Sequence, residues 1–119
     1  MKKSEIKIEV SLDENHIPEQ IDWSATDSQN NGSVSASFLS VWDPESQSAL
    51  RIDLWTKEFT VDEMKMFTYQ NIMTMADTFE KATGLREEAE DMRDFGRYMG
   101  ETLGVVQKPK SPDSLPDPK

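Results

Sequence analysis

Cysteine is absent from this 119-residue chain, and histidine occurs once, as His16. Without a thiol there can be no disulfide framework, thiolate zinc site, iron–sulfur cluster or cysteine nucleophile. One imidazole cannot build a multi-histidine metal site or leave a spare for a triad. Basic residues are also scarce, 13 Lys and Arg against 23 Asp and Glu, for a formal net charge of −10. Phosphate backbones repel such a chain unless its bases gather on one face, which argues against nucleic acid as a partner. No run approaches the roughly 18–20 apolar residues of a membrane span. The charged opening, Met1 to Lys7, also lacks the apolar stretch of a secretory signal. The expectation is a soluble cytoplasmic protein without membrane insertion.

What is present is periodicity. Ile6, Ile8, Val10 and Leu12 alternate with Lys7, Glu9 and Ser11, the period of a half-buried strand. Asp13-Glu14-Asn15-His16 is a polar turn, after which Ile17, Ile21, Trp23 and Ala25 resume one face, so the two runs read as a hairpin. Asn31-Gly32 carries a tight-turn signal, because both residues tolerate positive φ. Val34, Ala36 and Phe38 then alternate with serines up to the Asp43-Pro44 break, and Leu50, Ile52 and Leu54 alternate with Arg51, Asp53 and Trp55. Four strands at hairpin spacing predict an antiparallel meander.

At Thr60 the period changes. Thr60-Val61-Asp62-Glu63 has the form of a capping box, and Met64, Phe67, Thr68, Asn71, Ile72, Met75 and Phe79 recur at steps of three and four. This predicts a helix of about 22 residues ended by Gly84. A second helix from about Arg86 carries Ala89, Met92, Phe95, Gly96, Met99 and Leu103 on one stripe. Four of the six prolines fall after Val105, a composition that cannot offset its own ordering entropy. The predicted fold is α+β: a four-stranded antiparallel meander, then two amphipathic helices packed on one face of the sheet. One domain spans 1–104, with a flexible Pro-rich tail over 105–119.

No catalytic constellation emerges. Glu87, Glu90, Asp91 and Asp94 share a helix with Arg86, Arg93 and Arg97, which pair with them at helical spacing, and no calcium-loop pattern is present. His16 reads as an exposed turn residue, and Asn31-Gly32-Ser33 as turn chemistry rather than a glycosylation site. No nucleophile, base and oriented electrophile can be assembled, so no enzymatic activity, cofactor or metal is expected. Apolar residues, however, occupy both phases of the last two strands. Phe38 and Trp42 take one phase, and Leu39 and Val41 the other. In the following strand Arg51, Asp53 and Trp55 alternate with the leucines and isoleucine. Strands apolar on both faces are expected where both faces are covered, and two helices cover only one. A second copy of the chain, a protein partner or a loop folded over the aromatics would cover the other. Met66, Tyr69 and Met73 widen the apolar arc of the first helix, which then meets either the other helix or a partner. The candidate interaction surface is therefore Leu39, Val41, Trp42, Arg51, Asp53, Trp55, Met66, Tyr69 and Met73, and a homo-oligomer is expected.

Several strings carry a resemblance. They are Lys3-Ser4-Glu5-Ile6, Leu12-Asp13-Glu14-Asn15, Ile17-Pro18-Glu19, Ser40-Val41-Trp42-Asp43, Leu50 through Lys57, Val61 through Lys65, and Met75-Ala76-Asp77-Thr78-Phe79. On these the chain resembles the gliding-motility-associated protein GldC family of Bacteroidetes-type bacteria over about residues 1–104. The resemblance implies a non-enzymatic accessory or interaction protein contacting the gliding or secretion machinery. It brings no catalytic or cofactor motif. An alternative rests on fold-level analogy alone: an acidic four-strand, two-helix unit that oligomerises looks like the export chaperone SecB, a binder of unfolded or exported polypeptides.

Overall fold

The computed structural model describes residues 2–27 and 31–107. The Pro-rich segment from Lys108 onward lies outside the described residues. The chain folds as two compact units, one ending at Phe59 and one starting at Thr60.

The first unit is built of strands. β1 (Ile6–Leu12) pairs antiparallel with β2 (Pro18–Ala25), and the register sets Ile8 opposite Trp23 and Val10 opposite Ile21. Cross-strand partners share a sheet face, so the two apolar stripes foreseen in the sequence meet. Asp13 organises the turn between them. Its Oδ1 accepts from the amides of Asn15 and Ile17, at 2.8 and 3.0 Å, and the Asp13 amide donates to the Ile17 carbonyl. His16 sits in that turn with φ 63°, and no site is assigned to it. Lys57 Nζ reaches Asp13 Oδ2 at 3.1 Å, joining the turn between β1 and β2 to the segment just after the last strand.

The α+β class holds, with one difference from the expected single four-stranded meander. There are five strands in two sheets, because the third run bends at Ser35. β3 (Gly32–Val34) pairs with β2, setting Val34 opposite Ile21. One residue beyond the bend, β4 (Ala36–Asp43) pairs with β5 (Ser48–Trp55), setting Ala36 opposite Trp55. The Ser35 carbonyl accepts from the Thr56 amide at 2.9 Å, so the bend stays tied to its neighbour. Alternation is blind to this break, since the side-chain period runs through it. Gly32 also belongs to β3, opposite Trp23 with φ 153°, rather than to a tight turn. Residues 28–30 of that connection lie outside the described residues. Asn31 Oδ1 holds the near end of the loop by accepting from the Ala25 amide. Ile21 is completely buried.

The second unit is an antiparallel helix pair. α1 (Val61–Thr83) starts at the foreseen capping box: the Glu63 amide donates to Thr60 Oγ1 and the Thr60 amide to Glu63 Oε1, both at 3.0 Å. It ends at Gly84, whose φ of 74° is left-handed and favours a residue without Cβ. α2 (Arg86–Thr102) buries Ala89, Gly96 and Gly100. This small-residue stripe lets the helices approach closely. A Cβ built on Gly96 would lie 2.5 Å from Met73 Sδ, and one on Gly100 would lie 2.7 Å from the Tyr69 ring. After Leu103 the chain turns back, and the amides of Val105 and Val106 both donate to the Gly100 carbonyl.

Candidate interaction surface

The β4–β5 ribbon is a hairpin closed by Pro44–Gln47. Asp43 shapes its turn, accepting from the Glu45 amide at 3.1 Å and from the Ser46 hydroxyl at 2.8 Å. These donors, the hydroxyl first, hold the Asp43 carboxyl below its usual range. The closure fixes a register in which Leu39 faces Ile52, Val41 faces Leu50, Phe38 faces Asp53, Ser40 faces Arg51 and Trp42 faces Ala49.

Register sorts the sequence-derived residues into two sets that do not share a face. One face is aliphatic: Leu39, Val41, Leu50 and Ile52, with Leu54 beyond. Val41, Leu50 and Ile52 are each more than half exposed, and Leu39 is 40% exposed. Part of this face looks onto β1, where Ile8, Val10, Ser37, Leu39, Ile52 and Leu54 line an apolar groove of about 260 Å³. The opposite face is aromatic and charged. Trp42 is 65% exposed and Trp55 51%. Between them Arg51 and Asp53 form an ion pair at 3.1 Å, while the Arg51 guanidinium lies over the Phe38 ring, 5.7 Å from its centroid. That stacking keeps a long, otherwise mobile cation flat against the sheet.

The helical members of the candidate set separate as well. Tyr69 and Met73 are half-buried against Gly100 and Gly96, so they serve the contact between the helices. Met66 is 40% exposed. Leu50 and Ile52 were missed from the sequence. Their pairing with Val41 and Leu39 becomes visible only once the four-residue closure fixes the register, and that closure was the available signal.

Of the carboxylates foreseen on α2, Glu90 and Asp94 are held by arginines. Arg93 binds Glu90 on its own helix at 2.7 Å, and Asp77 and Glu80 of α1 at 2.7 and 2.8 Å. Arg97 binds Asp94 at 2.6 Å. Hydrogen bonds donated to Asp77, Glu80 and Glu90 raise the Arg93 pKa further above its already high ordinary value. Among the described residues no three His, Asp or Glu side chains gather as a cation would require, and no helix is long and apolar enough to cross a membrane. What the ribbon offers chemically is apolar area on one side, and aromatic area with a paired charge on the other. Apolar patches open to water mark contact sites, and Trp and Arg are the types that dominate interface energies.

Compared with known protein families, residues 18–105 match a family described as gliding motility-associated protein GldC-like, a span running from the start of β2 past the end of α2. No curated protein and no solved structure matches the chain.

Proposed function

Because the chain belongs to the GldC-like family of gliding motility-associated proteins, we propose that it serves gliding as a cytoplasmic, non-enzymatic accessory protein acting through protein–protein contacts. The observation that carries this reading is the aliphatic face of the β4–β5 ribbon. Leu39, Val41, Leu50 and Ile52 form one contiguous apolar surface, with three of the four more than half exposed. Leaving such area in water costs roughly 25 cal/mol per Å², and a bound protein surface recovers that cost. The acidic balance of both units, 5 bases to 11 acids over residues 1–59 and 8 to 12 over 60–119, keeps the free protein soluble and disfavours nucleic acid. A component of the gliding or secretion machinery is the partner this reading implies.

A photo-crosslinking residue at Val41, in the full-length chain inside a gliding strain, tests the proposal. The expected result is one or a few discrete adducts of fixed stoichiometry, lost in an Ile52→Asp background, together with a spreading defect in that variant while its protein accumulates normally. A broad smear of nascent or exported chains would replace this reading with the chaperone-like one. Undiminished spreading by Ile52→Asp, with no adducts, would overturn both.

A further inference from the structure

The outer edge of β5 carries a pattern that is its own complement. The Thr56 amide points across the ribbon to the Ser35 carbonyl at 2.9 Å, and the Lys57 amide points the other way, to the Pro18 carbonyl at 3.2 Å. Backbone groups alternate in direction along a strand. The even-numbered residues of β5 therefore bond to β4, and Ala49, Arg51, Asp53 and Trp55 turn their N–H and C=O groups outward. Among the described residues no strand pairs with that edge. A ribbon of two strands is marginal by itself, and an open edge is a template for another strand.

Along this edge Leu50-Arg51-Ile52-Asp53-Leu54 reads apolar, positive, apolar, negative, apolar. We propose that β5 pairs antiparallel with β5 of a second copy of this chain, about a two-fold axis at Ile52. Arg51 of each copy then lies opposite Asp53 of the other, in the hydrogen-bonded positions of the new ladder. Ile52 lies opposite Ile52, and Leu50 opposite Leu54. The charges match twice over, as a two-fold interface between identical surfaces requires. Nothing has to be rebuilt for this: Arg51 and Asp53 are exposed, already paired at 3.1 Å within the strand, and each exchanges its neighbour for an identical group. Ile17 and Pro18 border the edge from Asp53 to Lys57, where Pro18 takes the Lys57 amide, and the ladder stops at Trp55.

The result is a four-stranded sheet, β4-β5-β5-β4, with the aliphatic face doubled in width. β1 holds a second self-complementary run, Ile6-Lys7-Ile8-Glu9-Val10. Its edge already belongs to a three-stranded sheet, however, whereas the two-stranded ribbon gains a missing neighbour. Pairing at β5 concerns an edge and stands apart from what the faces bind.

Sedimentation equilibrium on the full chain tests it. The expected mass at tens of micromolar is twice 13.6 kDa. Arg51→Asp and Asp53→Arg each set two like-charge pairs at the axis, and each weakens the dimer by roughly tenfold or more. Mixing the two variants restores a dimer containing one of each, because every opposed pair is then Asp against Arg. That mixture also shows that both variants are folded. A monomeric wild-type chain overturns the proposal, as does a mixture that stays monomeric. Single variants that remain dimeric move the association to another surface, the β1 edge first, and overturn it too. Ile52→Asp strikes both the axis and the aliphatic face, whereas Arg51→Asp leaves that face intact, so adducts at Val41 that persist in the monomeric Arg51→Asp chain distinguish failure of the pairing from failure of the partner-binding reading.

Discussion

Arg93 and Arg51 show what separates the two units. Arg93, in the helix pair, is shared by three carboxylates drawn from both helices, and only 17% of its side chain is exposed. Arg51, in the strand unit, has one ion-pair partner two residues along its own strand, and nearly half of its side chain is exposed. A cation held by two elements fixes their arrangement. Arg51, paired on its own strand and stacked on Phe38 of the adjoining one, ties together nothing beyond the ribbon and is free to meet an identical or complementary group elsewhere. The apolar residues divide in the same way: Tyr69 and Met73 lie against glycines of the opposite helix, while Val41, Leu50 and Ile52 lie open. The helix pair has spent its specific contacts internally. The ribbon leaves its own open to water.

The largest expected effect tests whether the strand unit has any internal anchor apart from its backbone ladders. Ile21 is fully buried between Val10 and Val34 in the register of the first sheet. Ile21→Ala should cost about 2–5 kcal/mol, the usual range for a cavity of this kind. Val41→Thr, on the open face, should stay within about 0.5 kcal/mol. Urea denaturation of both variants makes the comparison. Equal losses would mean that the ribbon's aliphatic face is part of the core. A smaller loss is expected where α2 meets α1. Gly100→Leu must displace the Tyr69 ring or Val106, whose nearest atoms lie 2.7 and 2.9 Å from the position of a Cβ, and overpacking of this sort costs about 1–3 kcal/mol. The third comparison sets one arginine against the other. Arg93→Ala leaves Asp77, Glu80 and Glu90 facing one another without a cation, so thermal unfolding should shift down. Arg51→Ala should leave the unfolding midpoint of the dilute protein almost unchanged.

Much of this was legible in the sequence, because the signals were local. The capping box at Thr60, the terminating Gly84, the start of α2 near Arg86 and the facing of Ile8 and Val10 by Trp23 and Ile21 all follow from residues close together in the chain. The bend at Ser35 was not legible. A strand can change sheets without disturbing the alternation of Val34, Ala36 and Phe38, so one run of the pattern concealed two strands. The candidate surface was half legible for a related reason. Apolar residues in both phases revealed two apolar faces, but only register shows that Arg51, Asp53 and Trp55 share theirs with Phe38 and Trp42 rather than with Leu39 and Val41. The helical members depended on something longer in range still. Tyr69 and Met73 acquire their role from the absence of side chains at Gly100 and Gly96, 31 and 23 residues further along.

The smallest effect asks whether the strand unit has any ionic lock comparable to Arg93, and it is read through pH. Asp13 accepts from the Ile17 amide, from Lys57 Nζ and from the Asn15 amide, and these bonds lower its carboxyl pKa from the ordinary 3.8. Lys57 is raised in turn above its ordinary 10.5, chiefly by the hydrogen bond to Asp13. A carboxyl with a depressed folded-state pKa contributes stability that is present above its unfolded value and is lost as pH falls through the folded value. A raised amine contributes below 10.5 and loses that contribution as pH rises through its folded value. The pair therefore stabilises the strand unit between about pH 4 and pH 10 and fades on either side. Asp13→Asn should narrow the gap to wild type as the solution is taken from pH 6 to pH 2.5. The wild-type acid slope should not vanish in the variant, because Asp22 and Asp43 are also lowered, by the Ser33 and Ser46 hydroxyls first. Urea midpoints for both proteins at the two pH values give the difference. A gap that is unchanged at low pH would mean that the Asx turn, whose geometry Asn can mimic, works without its charge, leaving Arg93 as the one ionic device tested here that holds separate elements together.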